Sequence, residues 1–238
     1  DVLASEIVAG CGAFHGRIAF IGRHSAKEST GHGSPVPHMI HGGPGRAGGG
    51  EEVGGIRGVQ DYMQRTALRG HPTVLSAIAQ RWIAGAATTL ASEHPFRRKF
   101  HDLPLGYQLK TKQREITLED IEHFAHFTGD EFYAHMDEEA AKANPLFGGR
   151  VAHGYLILAF AAGLFVDPDP GPVLANYGLD NLRFVKPVKP GEAISVALTV
   201  KQKTLRKPDQ GEVRWDVVVT NREGETVAAY DLLTMNAA

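Results

Sequence analysis

Apolar positions in the second half of the chain recur at two different spacings. From Ile116 to Gly129 the spacing is helical, with Ile121, Phe124 and Ala125 on one face. Thr117 is placed to cap this helix, Asp120 stands three residues on, where an acidic side chain favours an N-terminus, and Gly129 marks the expected end. A second helix starts at His153-Gly154 and runs through Leu156, Ile157, Phe160, Ala161, Leu164 and Phe165 until Pro168 stops it. It is apolar nearly all round, which predicts burial. The period then changes to two. Strands are predicted over Asn181–Val185, Ala193–Lys203 with Ile194, Val196, Leu198 and Val200 alternating, Glu212–Thr220 with Val213, Trp215, Val217 and Val219, and Glu225–Met235. Asn221-Arg-Glu-Gly224 reads as the hairpin turn between the last two. One long buried helix beside four or five antiparallel strands predicts an α+β unit, a sheet wrapped around a helix.

The first half is patterned differently. Gly16–Ile21 reads as a strand, followed by a loop rich in Gly, Ser, Pro and His that includes His24, His32, His38 and His41, and by a helix from about Glu51 to Thr66. Val74, Leu75, Ile78, Trp82, Ile83 and Leu90 are spaced as a helix with Gly85 as its weak point. The basic stretch His94–Pro104 carries two prolines and suits a boundary near residue 100. Three divisions follow: 1–72, a helical linker over 73–104, and 105–238. About 70 loop-rich residues without disulfides are marginal as an independent domain. The chain also begins at Asp1, so the expectation is a fragment of a longer protein.

Composition narrows the function classes. Apolar residues make up 42% and charged residues 22% of the 238, as in an ordinary globular protein and unlike a disordered or coiled-coil chain. Lys and Arg total 25 against 27 Asp and Glu, a formal charge of -2, so no field favours nucleic acid or an anionic membrane. The longest apolar run, Tyr155–Val166, falls well short of the roughly 20 residues that span a bilayer. The single cysteine, Cys11, fits a reducing compartment, and the cytoplasm is the expected location.

Candidate chemistry concentrates in Phe124-Ala-His-Phe-Thr-Gly-Asp130-Glu-Phe-Tyr-Ala-His135-Met-Asp137 and in Phe147-Gly-Gly-Arg-Val-Ala-His153-Gly154-Tyr155. Asp130 and His135 supply a carboxylate and an imidazole able to hold and polarise one water. The helix start at Gly154 supplies a free N–H for a developing oxyanion. Water addition beside a carbonyl requires both. Asp137 reads as the cap of a helix through Ala140 and Ala141. His123, His126 and His153 lack thiolate or acidic partners at ligand spacing, and no metal is expected. Arg97-Arg98-Lys99 with Lys110, Lys112 and Arg114 is either a solvated face or a contact for phosphates. The glycines at 42–50 lack the Lys-Ser/Thr ending of a phosphate loop.

These residues resemble the MaoC-like hot-dog enoyl-CoA hydratases, whose pattern is aromatic-Ala-x-x-Ser/Thr-Gly-Asp, then His-x-Asp, then Phe-Gly and Ala-His-Gly. Tyr177-Gly-Leu-Asp-Asn-Leu-Arg183-Phe184-Val-Lys-Pro187-Val-Lys-Pro190-Gly191 is similar to the family's next strand, so the resemblance covers 105–238. It implies a hot-dog fold, Asp130 and His135 as the catalytic pair, and Gly154 as the oxyanion donor. Substrate contacts would come from His153, Tyr155 and Phe147, with Arg183 either a strand residue or pocket-lining. The implied substrate is an acyl-CoA thioester, with coenzyme A entering only as part of it, and the implied assembly is a homodimer or larger homo-oligomer. Members commonly read Asp-x-Asn-Pro-Leu/Ile-His where this chain has Asp130-Glu-Phe-Tyr-Ala-His135, and a serine seen on the buried helix of some is replaced near Ala162.

The Glu-Phe-Tyr-Ala-His-Met-Asp variant is similar to the hydratase half of the bifunctional PaaZ-type family of phenylacetate degradation, which opens the ring of oxepin-CoA. Residues 12–70, with His41-Gly42-Gly43, Gly48-x-Gly50-x-Glu52-x-Gly54 and Tyr62, resemble the C-terminal tail of that family's aldehyde dehydrogenase. The NADP site, catalytic thiol and activating glutamate of such dehydrogenases lie upstream of this tail, and Cys11 is too close to it to be the nucleophile. Aldehyde oxidation is not expected. A hot-dog thioesterase and a noncatalytic oligomerisation module are the alternative readings.

Overall fold

A computed structural model of the chain describes residues 2–15, 17–25 and 66–238. They divide into two compact units, 1–87 and 88–238. The predicted helix over 51–66, His32, His38, His41 and the glycine-rich 42–50 lie outside the described residues.

In the first unit, helix α1 (Val2–Cys11) is followed by strand β1 (Arg17–Phe20), which pairs in parallel with β2 (Ala67–Gly70). Helix α2 (Pro72–Ala79) has Pro72 in its first turn, where the missing N–H costs nothing, and His71 Nδ1 accepts from Thr73 N at 3.3 Å. The helix predicted to reach residue 90 stops here. Gln80 takes a left-handed conformation at φ 50° as its C-cap, and Gly85 is also left-handed at φ 89°. The stretch read as a helical linker is thus helical only over its first residues, and its far end has another role: Phe96, Phe100 and Leu103 are core residues of the second unit.

That unit contains β3 (Thr89–Leu90), β4 (Tyr107–Lys110), β5 (Arg114–Glu115), helices α3 (Leu118–Thr128), α4 (Tyr133–Met136), α5 (Glu138–Ala143) and α6 (Gly154–Phe165), then β6 (Val173–Phe184), β7 (Ala193–Lys207), β8 (Gln210–Thr220) and β9 (Thr226–Ala237). The sheet order is β3-β4-β7-β8-β9-β6, with β5 also on β7. The β7-β8-β9 meander is antiparallel, and Trp215 stands opposite Val200 and Leu232. Its alternation puts Val196, Leu198, Val200, Val213, Trp215, Val217 and Leu232 in the core. Against them pack Leu156, Ile157, Ala161 and Phe165 of α6, with the Leu, Ile and Phe side chains each worth about 1.5–3 kcal/mol. Phe96 meets the Trp215 and Phe165 rings edge-on at 5.4 and 6.1 Å. This is a hot-dog arrangement, an antiparallel sheet around a central helix.

Two expectations need adjustment. Helix α6 is not covered all round, because Tyr155, Ala159 and Gly163 at i, i+4 and i+8 form an exposed line within one copy. Strand β6 is longer than Asn181–Val185: its pairing with β9 is interrupted by register shifts, and Asn181 has φ 56°, so its alternation is broken where a pattern would be sought.

Candidate active site

The site grows from the link between α3 and α6. Thr117 Oγ1 accepts from Asp120 N at 3.0 Å, and Asp120 Oδ2 accepts from Thr117 N at 2.9 Å, the reciprocal box that starts α3. Gly129, left-handed at φ 79°, ends the helix and throws Asp130 out of it. The single turn of α4 carries His135, and Asp137 Oδ1 caps α5 by accepting from Ala140 N at 3.0 Å, as its sequence position implies.

One cavity of about 560 Å³ is lined by Asp130, His135, Phe147, Gly154 and Tyr155 together with the apolar Ile157, Phe184, Val188 and Val227 and with Lys186. That volume suits a small organic ligand or an acyl chain. His135 Nδ1 lies 2.7 Å from the carbonyl oxygen of Val151. A carbonyl only accepts, so Nδ1 bears a hydrogen, and in the neutral ring Nε2 is the free acceptor. No side chain caps α6 at His153. The first amides of a helix lack intrahelical acceptors, and Gly154 opens this one on the cavity wall. A Cβ at Gly154 would stand 2.6 Å from the Phe184 ring, so glycine is what allows that ring to lie over the helix start.

The structure thus brings Asp130, His135, Gly154, Phe147 and Tyr155 to one cavity. His153 and Arg183 lie elsewhere. His153 is 1% exposed and sits behind the lining, with Nε2 donating to the Asp130 carbonyl oxygen at 2.8 Å. Burial pushes its pKa down, and the nearby His135 adds to this against the opposing pull of the Asp130 carbonyl and carboxylate, so the ring is held toward its neutral form. Arg183 is exposed and donates to the Leu182 carbonyl. Neighbouring strand residues face opposite ways, so the cavity receives Phe184 instead.

Asp130, His135 and His153 offer ligand atoms within 4.8 Å of one another, the geometry of a potential metal group among the described residues. Each imidazole commits one nitrogen to a main-chain carbonyl and keeps the other open, an orientation that metal-bound histidines share. His123 stacks on Phe127 and His126 pairs with Glu131, both away from the cavity.

Arg150 was not among the residues singled out from sequence. Its Nε donates to the His135 carbonyl at 2.6 Å and its Nη1 to Glu122 Oε1 on α3 at 3.0 Å. It latches the end of α4 to α3. Lys186 and Val188 could have been found from the Val185-Lys-Pro-Val188 run that follows Phe184. No helix among the described residues is long and apolar enough to cross a membrane.

Comparison with known proteins agrees with this architecture. Protein MaoC of Klebsiella aerogenes is 52% identical over 216 residues, 90% of this chain, which spans 64% of that protein's length. The 3-hydroxyacyl-thioester dehydratase Z of Mycobacterium tuberculosis (strain H37Rv) is 42% identical over 82 residues, 33% of this chain and 54% of the dehydratase. The crystal structure of the monoamine oxidase regulatory protein from Archaeoglobus fulgius superposes with a TM-score of 0.56 at 30% identity, over 59% of this chain and 94% of that one. Residues 102–222, from just before β4 to just past β8, match the MaoC like domain, and the chain belongs to that family.

Proposed function

We propose that this chain is a hydratase/dehydratase that adds water reversibly across the double bond of an α,β-unsaturated acyl thioester, with coenzyme A as the carrier. The observation that carries the reading is the convergence of a carboxylate, an imidazole with a bare Nε2 and a helix-start amide on one apolar cavity. The Asp130 carboxylate and His135 Nε2 are both acceptors. A water held between them donates both hydrogens and turns its lone pairs toward the substrate. As water oxygen bonds to the β-carbon, Asp130 takes a proton and the double-bond electrons move to the thioester oxygen. The Gly154 N–H stabilises that enolate. Return of a proton to the α-carbon completes the 3-hydroxyacyl product and restores the pair. Phe147, Tyr155, Phe184 and Ile157 enclose the acyl chain, and no cofactor or metal takes part.

The finer reading is that the natural substrate is oxepin-CoA, with residues 1–72 the remnant of an aldehyde dehydrogenase domain. What supports it is the Glu131-Phe-Tyr-Ala-His135 variant together with the glycine pattern before Gly54. The working form is a homodimer or larger assembly: β6 ends the sheet, and Leu174, Tyr177, Leu179 and Phe184 are exposed along it. The test is spectrophotometric hydration of crotonyl-CoA and oxepin-CoA by the wild type, Asp130→Asn and His135→Ala. Each variant is expected to lose about 10²–10⁴-fold in kcat. Unchanged rates in both would refute the catalytic pair, and release of free coenzyme A from a saturated acyl thioester would point to a thioesterase instead.

A further inference from the structure

The two halves of the acid–base pair meet on one residue behind them. Residues 130–132 lie between α3 and α4, outside either helix, so the direction of the Asp130 side chain depends on what fixes its main chain. The Asp130 carbonyl oxygen accepts from His153 Nε2 at 2.8 Å. Because that nitrogen must carry the hydrogen, His153 Nδ1 is bare, and it is buried without a hydrogen-bond partner. The same ring stacks on His135 with centroids 3.7 Å apart and planes 29° apart, and is flanked by Phe124 at 5.0 Å. A residue there only to fill space would not need the orphaned nitrogen, whereas one that must reach a carbonyl and present a flat face needs both features of an imidazole.

From this we infer that His153 is a positioning residue for the reaction: its Nε2–H fixes the main chain at Asp130, and its ring face fixes the plane of His135, so one buried imidazole sets the spacing of carboxylate and base. The inference rests on Asp130 and His135 being the catalytic pair. Misplacing a catalytic group by about 1 Å costs about 10²-fold, so loss of the tether falls on kcat rather than on substrate binding.

The test compares His153→Phe, which keeps a flat ring and loses the donor, with His153→Gln, whose amide N–H reaches where Nε2 stood. Asp130→Asn is the reference, and crotonyl-CoA hydration and thermal unfolding of the full chain are the readouts. His153→Phe is expected to lose about 10–100-fold in kcat with KM within about twofold of wild type, and His153→Gln to recover most of that loss. Wild-type kcat in His153→Phe, equal impairment of the two variants, or a loss confined to KM would overturn the inference. An inactive Asp130→Asn beside an intact His153→Phe refutes only this step, whereas an intact Asp130→Asn refutes the catalytic reading beneath it. Should His153→Phe fail to fold, nitrogen NMR of the wild type decides. An Nε2-protonated neutral ring is expected at neutral pH, and an Nδ1-protonated or doubly protonated ring would overturn the assignment.

Discussion

Arg150→Met removes a guanidinium while keeping most of the stem that it buries. The Arg150 side chain is 11% exposed, and its Nε donates at 2.6 Å to the His135 carbonyl, one of the last carbonyls of α4 and without a helical partner. A hydrogen bond from a charged group contributes about 1.5–3 kcal/mol. The Glu122 contact adds about 0–1 kcal/mol, because that carboxylate is 44% exposed and solvent screens the pair. The sum is about 1.5–4 kcal/mol. At about 2–4 °C per kcal/mol for a unit of this size, the midpoint of thermal unfolding followed by circular dichroism should fall by about 3–16 °C. Hydration of crotonyl-CoA should fall with it, since the carbonyl that is released belongs to His135 itself. Arg150→Lys should lie between the two, because one ammonium cannot reproduce the fork to two partners. A melting temperature within about 1 °C of wild type in Arg150→Met, or full activity in that variant, would refute the latch.

Two further predictions concern the sheet. Thr234 is fully buried, accepts from Trp215 Nε1 at 2.8 Å and donates to Asn236 Oδ1 at 2.7 Å. Thr234→Val should therefore cost about 2–4 kcal/mol in urea unfolding by stranding both partners, and a change under about 0.5 kcal/mol would refute the chain of bonds. Asp231 is buried beside Lys201, Arg214 and Asn181, at 2.6, 3.0 and 3.0 Å. Burial pushes its carboxyl up, but these three donors outweigh that and its pKa is lowered overall. A carboxyl lowered in the folded state gives stability that is present above its unfolded value of about 3.9 and is lost as pH falls through the folded value. Asp231→Asn should cost about 2–3 kcal/mol at neutral pH, less than a fully buried pair because Lys201 keeps Asp216 and Arg214 keeps Asp180. It should also flatten the loss of stability below about pH 4, and an acid profile parallel to wild type would reject the assignment.

What was legible in the sequence was local. Helix α3 could be read because Thr117, Asp120 and Gly129 mark both ends, and β7 and β8 because apolar residues recur at every second position over Ile194–Val200 and Val213–Val219. Strand β6 was legible only at its end, from Asn181 on, since register shifts with β9 interrupt the earlier alternation that a reader counts. The 73–90 spacing misled for the opposite reason: the apolar positions fit a helix, but the chain turns left-handed at Gln80 and Gly85, and residues beyond them pack in another unit. Arg183 and Phe184 show the limit within a motif, because a shift of one residue along a strand exchanges the cavity for solvent.

The site divides in the same way. Asp130, His135 and Gly154 are legible because their chemistry resides in residue type and order, but the contacts that hold them are made to main-chain carbonyls, which every residue owns. His135 is tied to the Val151 carbonyl, His153 to that of Asp130, Arg150 to that of His135, and the two segments are joined again by Val151 N on the Ala134 carbonyl at 3.0 Å. None of these acceptors leaves a mark in the sequence, so neither Arg150 nor the part played by His153 could be found there. The same property explains why Phe132-Tyr133 can stand where the resembled pattern reads Asn-Pro. A spacing held through backbone oxygens does not depend on the side chains between its ends, so Asp130 and His135 still reach one cavity. Those intervening side chains instead pack on one another and on the base, with the Phe132 ring 4.5 Å from Tyr133 and 6.0 Å from His135.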